Sequence, residues 1–152
     1  MNKILIVAFA QNFRADNKNT EIENKVVDFV KGKMEDNYCA FLAETCYIDE
    51  PLEGSYAWQP WSQFASIIQN FKLWRTTGIE WDVLYYLIEN CGVAHDRIEE
   101  VTVTGHLTSI EYIRLGVLLQ SFLPAAQIKV TNFYGVAPKE VLTQLNIEIE
   151  EK

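Results

Sequence analysis

At 152 residues the chain has the length of one domain, and it can bury about two-thirds of its unfolded surface without a disulfide or a metal. The hydrophobic fraction of 49% and the charged fraction of 22% are those of an ordinary soluble globular protein. A net charge of −8 without a basic cluster would repel a phosphate backbone, so we expect no nucleic-acid partner. No apolar run approaches the roughly 18 residues of a membrane span, so we expect no membrane partner.

Cysteine usage indicates the compartment. The three cysteines, Cys39, Cys46 and Cys91, are an odd number without the spacing of a disulfide framework. We therefore expect reduced thiols in a cytoplasmic protein. Each cysteine is interpreted as a small buried hydrophobic residue.

Strand and helix patterns alternate along the chain. The predicted strands are residues 4–10, 38–48, 65–72, 98–104, 127–133 and 147–149, the last at a sheet edge. The first predicted helix starts at a Thr20-x-x-Glu23 capping box. Three further helices are predicted over residues 79–90, 108–122 and 138–145. This alternation predicts one α/β domain over residues 1–152, a three-layer αβα architecture with a mostly parallel, Rossmann-like sheet of five or six strands.

A long loop over residues 49–63 carries three aromatic side chains, Tyr56, Trp58 and Trp61. Such a cluster packs against its own domain, forms a subunit contact, or closes as a lid over a pocket. The sequence leaves these three interpretations open.

Residues 101–115 form the most informative stretch. Val101, Thr102 and Val103 are typical of a buried strand, Gly105 interrupts it, and Thr108-x-x-Glu111 is a capping box before a helical run. The stretch therefore predicts a strand, a sharp turn and a helix N-terminus. In open α/β sheets ligands bind at such junctions, where the first N–H groups of the helix lack intrahelical partners.

The same stretch resembles the Cys-Gly-x-x-Thr-Asp-x-Cys segment of isochorismatase-like cysteine hydrolases, a group that includes the nicotinamidases. Gly105 and Thr108 fall in register with that segment. Ser109 stands where the family has aspartate, and Glu111 stands where it has the nucleophilic cysteine.

Other stretches resemble the family in the same order along the chain. The opening strand resembles one that ends Val-Asp-x-Gln-x-x-Phe, with Phe13 in place and Ala8 at the position of the catalytic aspartate. The loop from Ser55 onward resembles a family loop of serine followed by aromatics, and Lys72 matches the family's lysine. The resemblance thus covers nearly the whole chain.

The resemblance implies a chemistry that the substitutions remove. In the family, aspartate takes the thiol proton, lysine holds the developing charge, and the turn donates to the oxyanion. Ala8 cannot act as a base, and a carboxylate such as Glu111 is a weak nucleophile towards amides. We therefore assign no catalytic residue and predict a vestigial pocket, lined by Ala8, Phe9, Lys72, Thr104, His106, Leu107 and Glu111.

Two interpretations of Glu111 remain open. At the N3 position of a capping box, its carboxylate stabilises the helix N-terminus by about 0.3–1 kcal/mol. If the family geometry holds, Glu111 also forms an ion pair with Lys72, which would fill the pocket while adding little net stability.

Metal and cofactor sites are not expected. Nicotinamidases, which the chain resembles, carry Asp-x-His and a further histidine after the second strand, whereas this chain reads Tyr-Ile-Asp-Glu-Pro over residues 47–51. Neither histidine, His95 or His106, is placed to replace those ligands. No glycine-rich phosphate loop is present in the sequence.

Three functions follow from these observations. The first is a catalytically degenerate isochorismatase-like domain that acts as a binding or assembly protein, as a homo-oligomer or with a small-molecule ligand. The alternative is a small-molecule hydrolase of altered mechanism that uses Lys72 and Glu111 as acid and base. The third is a structural subunit without a ligand.

Overall fold

The computed structural model describes residues 3–11, 20–45, 56, 59–76 and 95–150, and only the backbone of 43–45, 72–76 and 95. The strands are β1 (Lys3–Ala8), β2 (Cys39–Thr45), β3 (Lys72–Thr76), β4 (Glu100–Gly105), β5 (Gln127–Val130) and β6 (Glu148–Ile149). The α-helices among these residues are α1 (Thr20–Glu35), α2 (Ser109–Phe122) and α3 (Lys139–Gln144).

The described strands form one sheet in the order β3-β2-β1-β4-β5-β6, and every neighbouring pair is parallel. β1 lies inside the sheet, where Ile4 pairs with Cys39 of β2 and with Val101 of β4. The predicted parallel α/β sheet is confirmed. Parallel strands bring their carboxyl ends to the same edge, so the ends of β1 and β4 lie side by side.

The side chains of β1 alternate between two cores because successive residues of a strand point to opposite faces. One face packs against α2 and forms the α2-side core, with Ile4, Ile6, Ala8, Tyr112, Leu115 and Leu119 among its members. The other face packs against α1 and forms the α1-side core, which includes Leu5, Val7, Val26, Val30 and Phe64. Helices on both faces confirm the three-layer arrangement.

The strand predicted over residues 65–72 is wrong. That segment contains a 3-10 turn at Ile68–Asn70, and β3 begins only at Lys72. The cause is aromatic packing: the rings of Phe64 and Phe71 meet edge to face at 5.7 Å, and both residues are buried. A strand could not bring these two residues, seven positions apart, into contact.

Helix boundaries agree with the sequence where the structure describes them. α2 begins with the predicted capping box of Thr108 and Glu111, and Pro138 directly precedes α3.

Some predictions lie outside the described residues: the helix over residues 79–90, and Cys46 and Cys91. The third cysteine, Cys39, is buried as expected. Within the described part of the chain, no helix is long and apolar enough to cross a membrane.

Candidate functional site

The turn after β4 is fixed against the end of β1. Ala8 pairs with Gly105, and the backbone N–H of His106 donates to the Ala8 carbonyl at 3.0 Å. Gly105 has φ of +120°, and a Cβ on it would lie 2.2 Å from the Ala8 oxygen. The turn therefore requires glycine for steric reasons alone.

Apolar side chains occupy the end of β1 on the face that carries Ala8. Ala8, Phe9 and Leu107 each have only 1% of their surface exposed, and all three belong to the α2-side core. Phe9 adopts φ of +57°, a conformation that costs a non-glycine residue about 1–2 kcal/mol. The gap that Leu107 and Tyr112 line behind this cluster is too narrow for a water molecule.

Thr104 lies on the opposite face of the sheet. It pairs with Val7, a member of the α1-side core, and its side chain is fully buried. Its Oγ1 lies 2.7 Å from Oγ1 of Thr131, which satisfies both hydroxyls. The structure therefore brings Ala8, Phe9 and Leu107 together and separates Thr104 from them.

Tyr112 ties α2 to the end of β5. Its hydroxyl donates to the Thr131 carbonyl at 2.7 Å. Burial raises the pKa of Tyr112 to about 12, because the phenolate would lose its hydration.

We expect this raised pKa to make stability fall at alkaline pH. The ordinary pKa of tyrosine is 10.0, so below pH 10 Tyr112 is protonated in both the folded and the unfolded chain. Above it the unfolded chain loses the proton first, so the free energy of unfolding drops, by about 1.4 kcal/mol at pH 11. Tyr112→Phe lacks the hydrogen bond, which lowers its free energy of unfolding by about 1 kcal/mol. Because phenylalanine has no hydroxyl to titrate, this variant does not show the alkaline decrease.

Urea unfolding followed by circular dichroism between pH 8 and 12 measures both effects. The advantage of the wild type over Tyr112→Phe is expected to vanish near pH 11. A difference that stays constant across this range would contradict the prediction.

Glu111 is bound to the N-terminus of its own helix. Its Oε1 accepts from the Thr108 N–H at 2.8 Å, and its N–H donates to the Thr108 hydroxyl at 3.3 Å. This confirms the capping interpretation. The carboxylate is half-exposed and lies at the same edge of the sheet as the turn.

Lys72 is described by its backbone alone. It is the first residue of β3 and pairs with Phe41 of β2. Its side chain lies outside the described residues, so an ion pair with Glu111 stays a prediction.

A second cluster at this edge combines aromatic and polar groups that the sequence did not reveal. The ring of His106 stacks on that of Tyr134, with centroids 4.3 Å apart. Glu23, only 1% exposed, accepts from Nε2 of Gln63 at 2.9 Å. Burial, and secondly the negative charge of Glu23, raise the pKa of Tyr134 well above its usual range.

The sequence contains one signal for this cluster. The capping-box pattern pairs Glu23 with Thr20, but Thr20 is itself the first residue of α1. Glu23 lies three residues before Val26 and seven before Val30, on the buried stripe of the helix. A carboxylate on an apolar stripe indicates a buried polar contact.

Part of the aromatic loop packs against the domain. Trp61 is 4% exposed and stacks on Phe64 at 6.1 Å, and its backbone N–H donates to the Ala10 carbonyl at 2.9 Å. Tyr56, by contrast, is 73% exposed, and Trp58 lies outside the described residues. Packing against the domain therefore accounts for Trp61.

Comparison with known proteins bears on the fold. No protein-family model and no curated protein matches the sequence. A nicotinamidase from Staphylococcus aureus has a similar structure, with a TM-score of 0.75 over 100% of this chain and 99% of its own, at 16% identity. The chain has the nicotinamidase fold. A pyrazinamidase/nicotinamidase from Streptococcus mutans gives a TM-score of 0.75 over 97% of this chain and 99% of its own, at 15% identity.

This structural similarity confirms the α/β architecture that the alternation of strands and helices predicted. It does not by itself decide whether the chain is an enzyme, since one fold hosts many functions. Within the described ranges, no group of three or more histidine, cysteine, aspartate or glutamate side chains is arranged to hold a metal ion.

Proposed function

We propose that the chain is a catalytically degenerate protein of the isochorismatase-like fold that acts in binding or assembly. One observation carries the proposal: the position that the resemblance assigns to the catalytic aspartate holds Ala8, buried beside Phe9 and Leu107 in the α2-side core. A methyl group cannot accept a proton. A thiolate mechanism would therefore lack its base at this position.

The position of the nucleophile supports the same conclusion. Glu111 stands there, and its carboxylate accepts the Thr108 N–H at 2.8 Å. That bond engages the anion at the helix N-terminus, which stabilises its charge and lowers its nucleophilicity. An acyl anhydride formed by a carboxylate would also be a high-energy intermediate for amide hydrolysis.

We expect the purified protein to release no ammonia from nicotinamide or pyrazinamide above the buffer rate. Coupled detection of ammonia over several hours measures this directly. Glu111→Gln is the informative variant, because glutamine also closes a capping box and leaves α2 intact. Glu140→Gln, at an exposed position in the first turn of α3, is the matched control.

Ammonia release by the wild type that is lost in Glu111→Gln and kept in Glu140→Gln would overturn the proposal. A parallel loss in Lys72→Met would then favour the alternative, a hydrolase in which Lys72 and Glu111 serve as acid and base.

A further inference from the structure

Polar side chains connect the last turn of α1 with the edge strand β6. Lys33 of α1 lies 2.8 Å from the carboxylate of Glu150, the residue after β6. Its ammonium also lies 3.5 Å from the hydroxyl of Tyr38, which donates a hydrogen bond to the carboxylate of Glu100 in β4. All four side chains are buried or half-buried, so these contacts join α1 to two strands inside the protein.

Lys129 of β5 closes these contacts into a ring. Its ammonium lies 2.8 Å from Glu100 and 3.6 Å from Glu148 of β6. The hydrogen bond to Glu100, together with the charges of Glu100, Glu150 and Glu148, outweighs burial and raises the pKa of Lys129. Two members of the set belong to β6 or follow it directly, so both ends of the contact chain meet there. We call these residues the charged ring: Lys33, Tyr38, Glu100, Lys129, Glu148 and Glu150.

The backbone alone holds β6 weakly. β6 has 2 residues and lies at the edge of the sheet, where the described strands pair with it on one side only. The N–H of Glu150 donates to the Val130 carbonyl at 2.7 Å, and Ile149 is only partly buried. Ile147, directly before β6, is 4% exposed and belongs to the α2-side core. The chain is therefore fixed up to Ile147, and β6 beyond it depends largely on the charged ring.

The charged ring also contains a source of instability. Oε2 of Glu150 is buried, and none of the residues that the structure describes donates a hydrogen bond to it. A buried carboxylate oxygen without a donor destabilises the closed arrangement, and water satisfies it once the segment opens. In addition, the loss of hydration offsets much of the attraction in partly buried ion pairs. The closed position of β6 is therefore specific but only moderately stable.

We propose that the charged ring holds β6 in a closed state from which β6 and Glu150 open together, while Ile147 and the rest of the domain stay folded. Opening breaks the contacts of Lys33 and Lys129 with the β6 segment and exposes the edge of β5. Such local opening requires less free energy than unfolding of the domain. An exposed strand edge offers unpaired N–H and C=O groups, so opening changes which surface the sheet presents.

This inference does not depend on the loss of catalysis. The charged ring contains no residue at the end of β1 and none of the turn at Gly105. The hydrolysis assay and a measurement of opening can therefore fail separately.

Native-state hydrogen exchange, followed by NMR at several low urea concentrations, tests the opening in the wild type. We expect the Glu150 amide to be protected, yet to exchange at least about a hundredfold faster than the amides of β1. Its rate should respond little to urea, because opening exposes little surface. A Glu150 amide that exchanges together with β1, or one that shows no protection, would overturn the proposal.

Lys33→Met tests the role of the charged ring. It removes the charge but keeps an unbranched side chain, and we expect the protection of the Glu150 amide to fall at least about tenfold. Glu150→Gln, which leaves Lys33 in place, should have the same effect. Lys25→Met is the matched control, since Lys25 also lies on α1, pairs with Glu21 at 3.8 Å and is 60% exposed. Unchanged protection in both ring variants, or an equal fall in Lys25→Met, would overturn the proposal.

Discussion

Replacing Gly105 with alanine is expected to lower the free energy of unfolding by about 3–4 kcal/mol. The added Cβ would lie 2.2 Å from the Ala8 oxygen and 2.8 Å from the Ala8 nitrogen, and both are backbone atoms. No rotamer change relieves such a contact, so the turn must move away from β1. That movement breaks the hydrogen bond from His106 to Ala8 and disturbs the pairing of the two strands.

Two other glycines separate the causes of this loss. Gly135 also has a positive φ, +75°, but a Cβ added there would have no atom within 4 Å, so Gly135→Ala should cost only about 1 kcal/mol of backbone strain. Gly32 lies within α1 in open space, and Gly32→Ala should stabilise the helix by about 0.5–1 kcal/mol. Urea unfolding of the three variants measures these differences. A loss in Gly105→Ala no larger than in Gly135→Ala would show that the contact with Ala8 is relieved elsewhere.

Removing the ring of Phe9 is expected to cost about 3–5 kcal/mol, the range for truncating a buried aromatic residue to alanine. Phe9 is 1% exposed and belongs to the α2-side core together with Ala8 and Leu107. We expect the truncation to leave a cavity at the end of β1. Because its walls are apolar, this cavity should stay dry and bind small apolar molecules.

Phe64→Ala is the matched control for Phe9→Ala. Phe64 is 0% exposed but lies in the α1-side core, away from Ala8. Both variants should lose comparable stability. Thermal unfolding of each variant with added benzene or indole compares ligand binding by the cavity at the end of β1 with ligand binding by the cavity in the α1-side core. A loss below about 1 kcal/mol in Phe9→Ala would contradict the prediction that this ring fills the end of β1.

The sequence predicted those parts of the fold that depend on local patterns. The apolar run of β1 and the capping box at Thr108 each define their element without help from distant residues. The strand predicted over residues 65–72 failed because the contact between Phe64 and Phe71 is tertiary, and their spacing favours a turn as much as a strand. Periodicity cannot separate these cases in a short apolar segment.

The candidate site was predictable where one residue's role is fixed by its neighbours in sequence. Glu111 is of this kind, since the cap involves only adjacent positions, whereas the steric need for glycine at 105 comes from Ala8 on the neighbouring strand. The stacking of His106 on Tyr134 could not be foreseen, because it joins the turn after β4 to the segment after β5. Such contacts depend on strand order, which local patterns do not specify.

The position of β1 inside the sheet has a consequence for the newly made chain. β1 precedes β2 and β4 in the chain, and β2 is the first of the two to be synthesised, so it can pair with one edge of β1 early, through Ile4 and Cys39. The other edge pairs with β4, where the partner of Ile4 is Val101. Until that part of the chain leaves the ribosome, a strand of sequence Lys-Ile-Leu-Ile-Val-Ala keeps an open, apolar edge. We therefore expect the pairing of β1 with β4 to be a late step of folding, because it must wait for a segment distant in sequence.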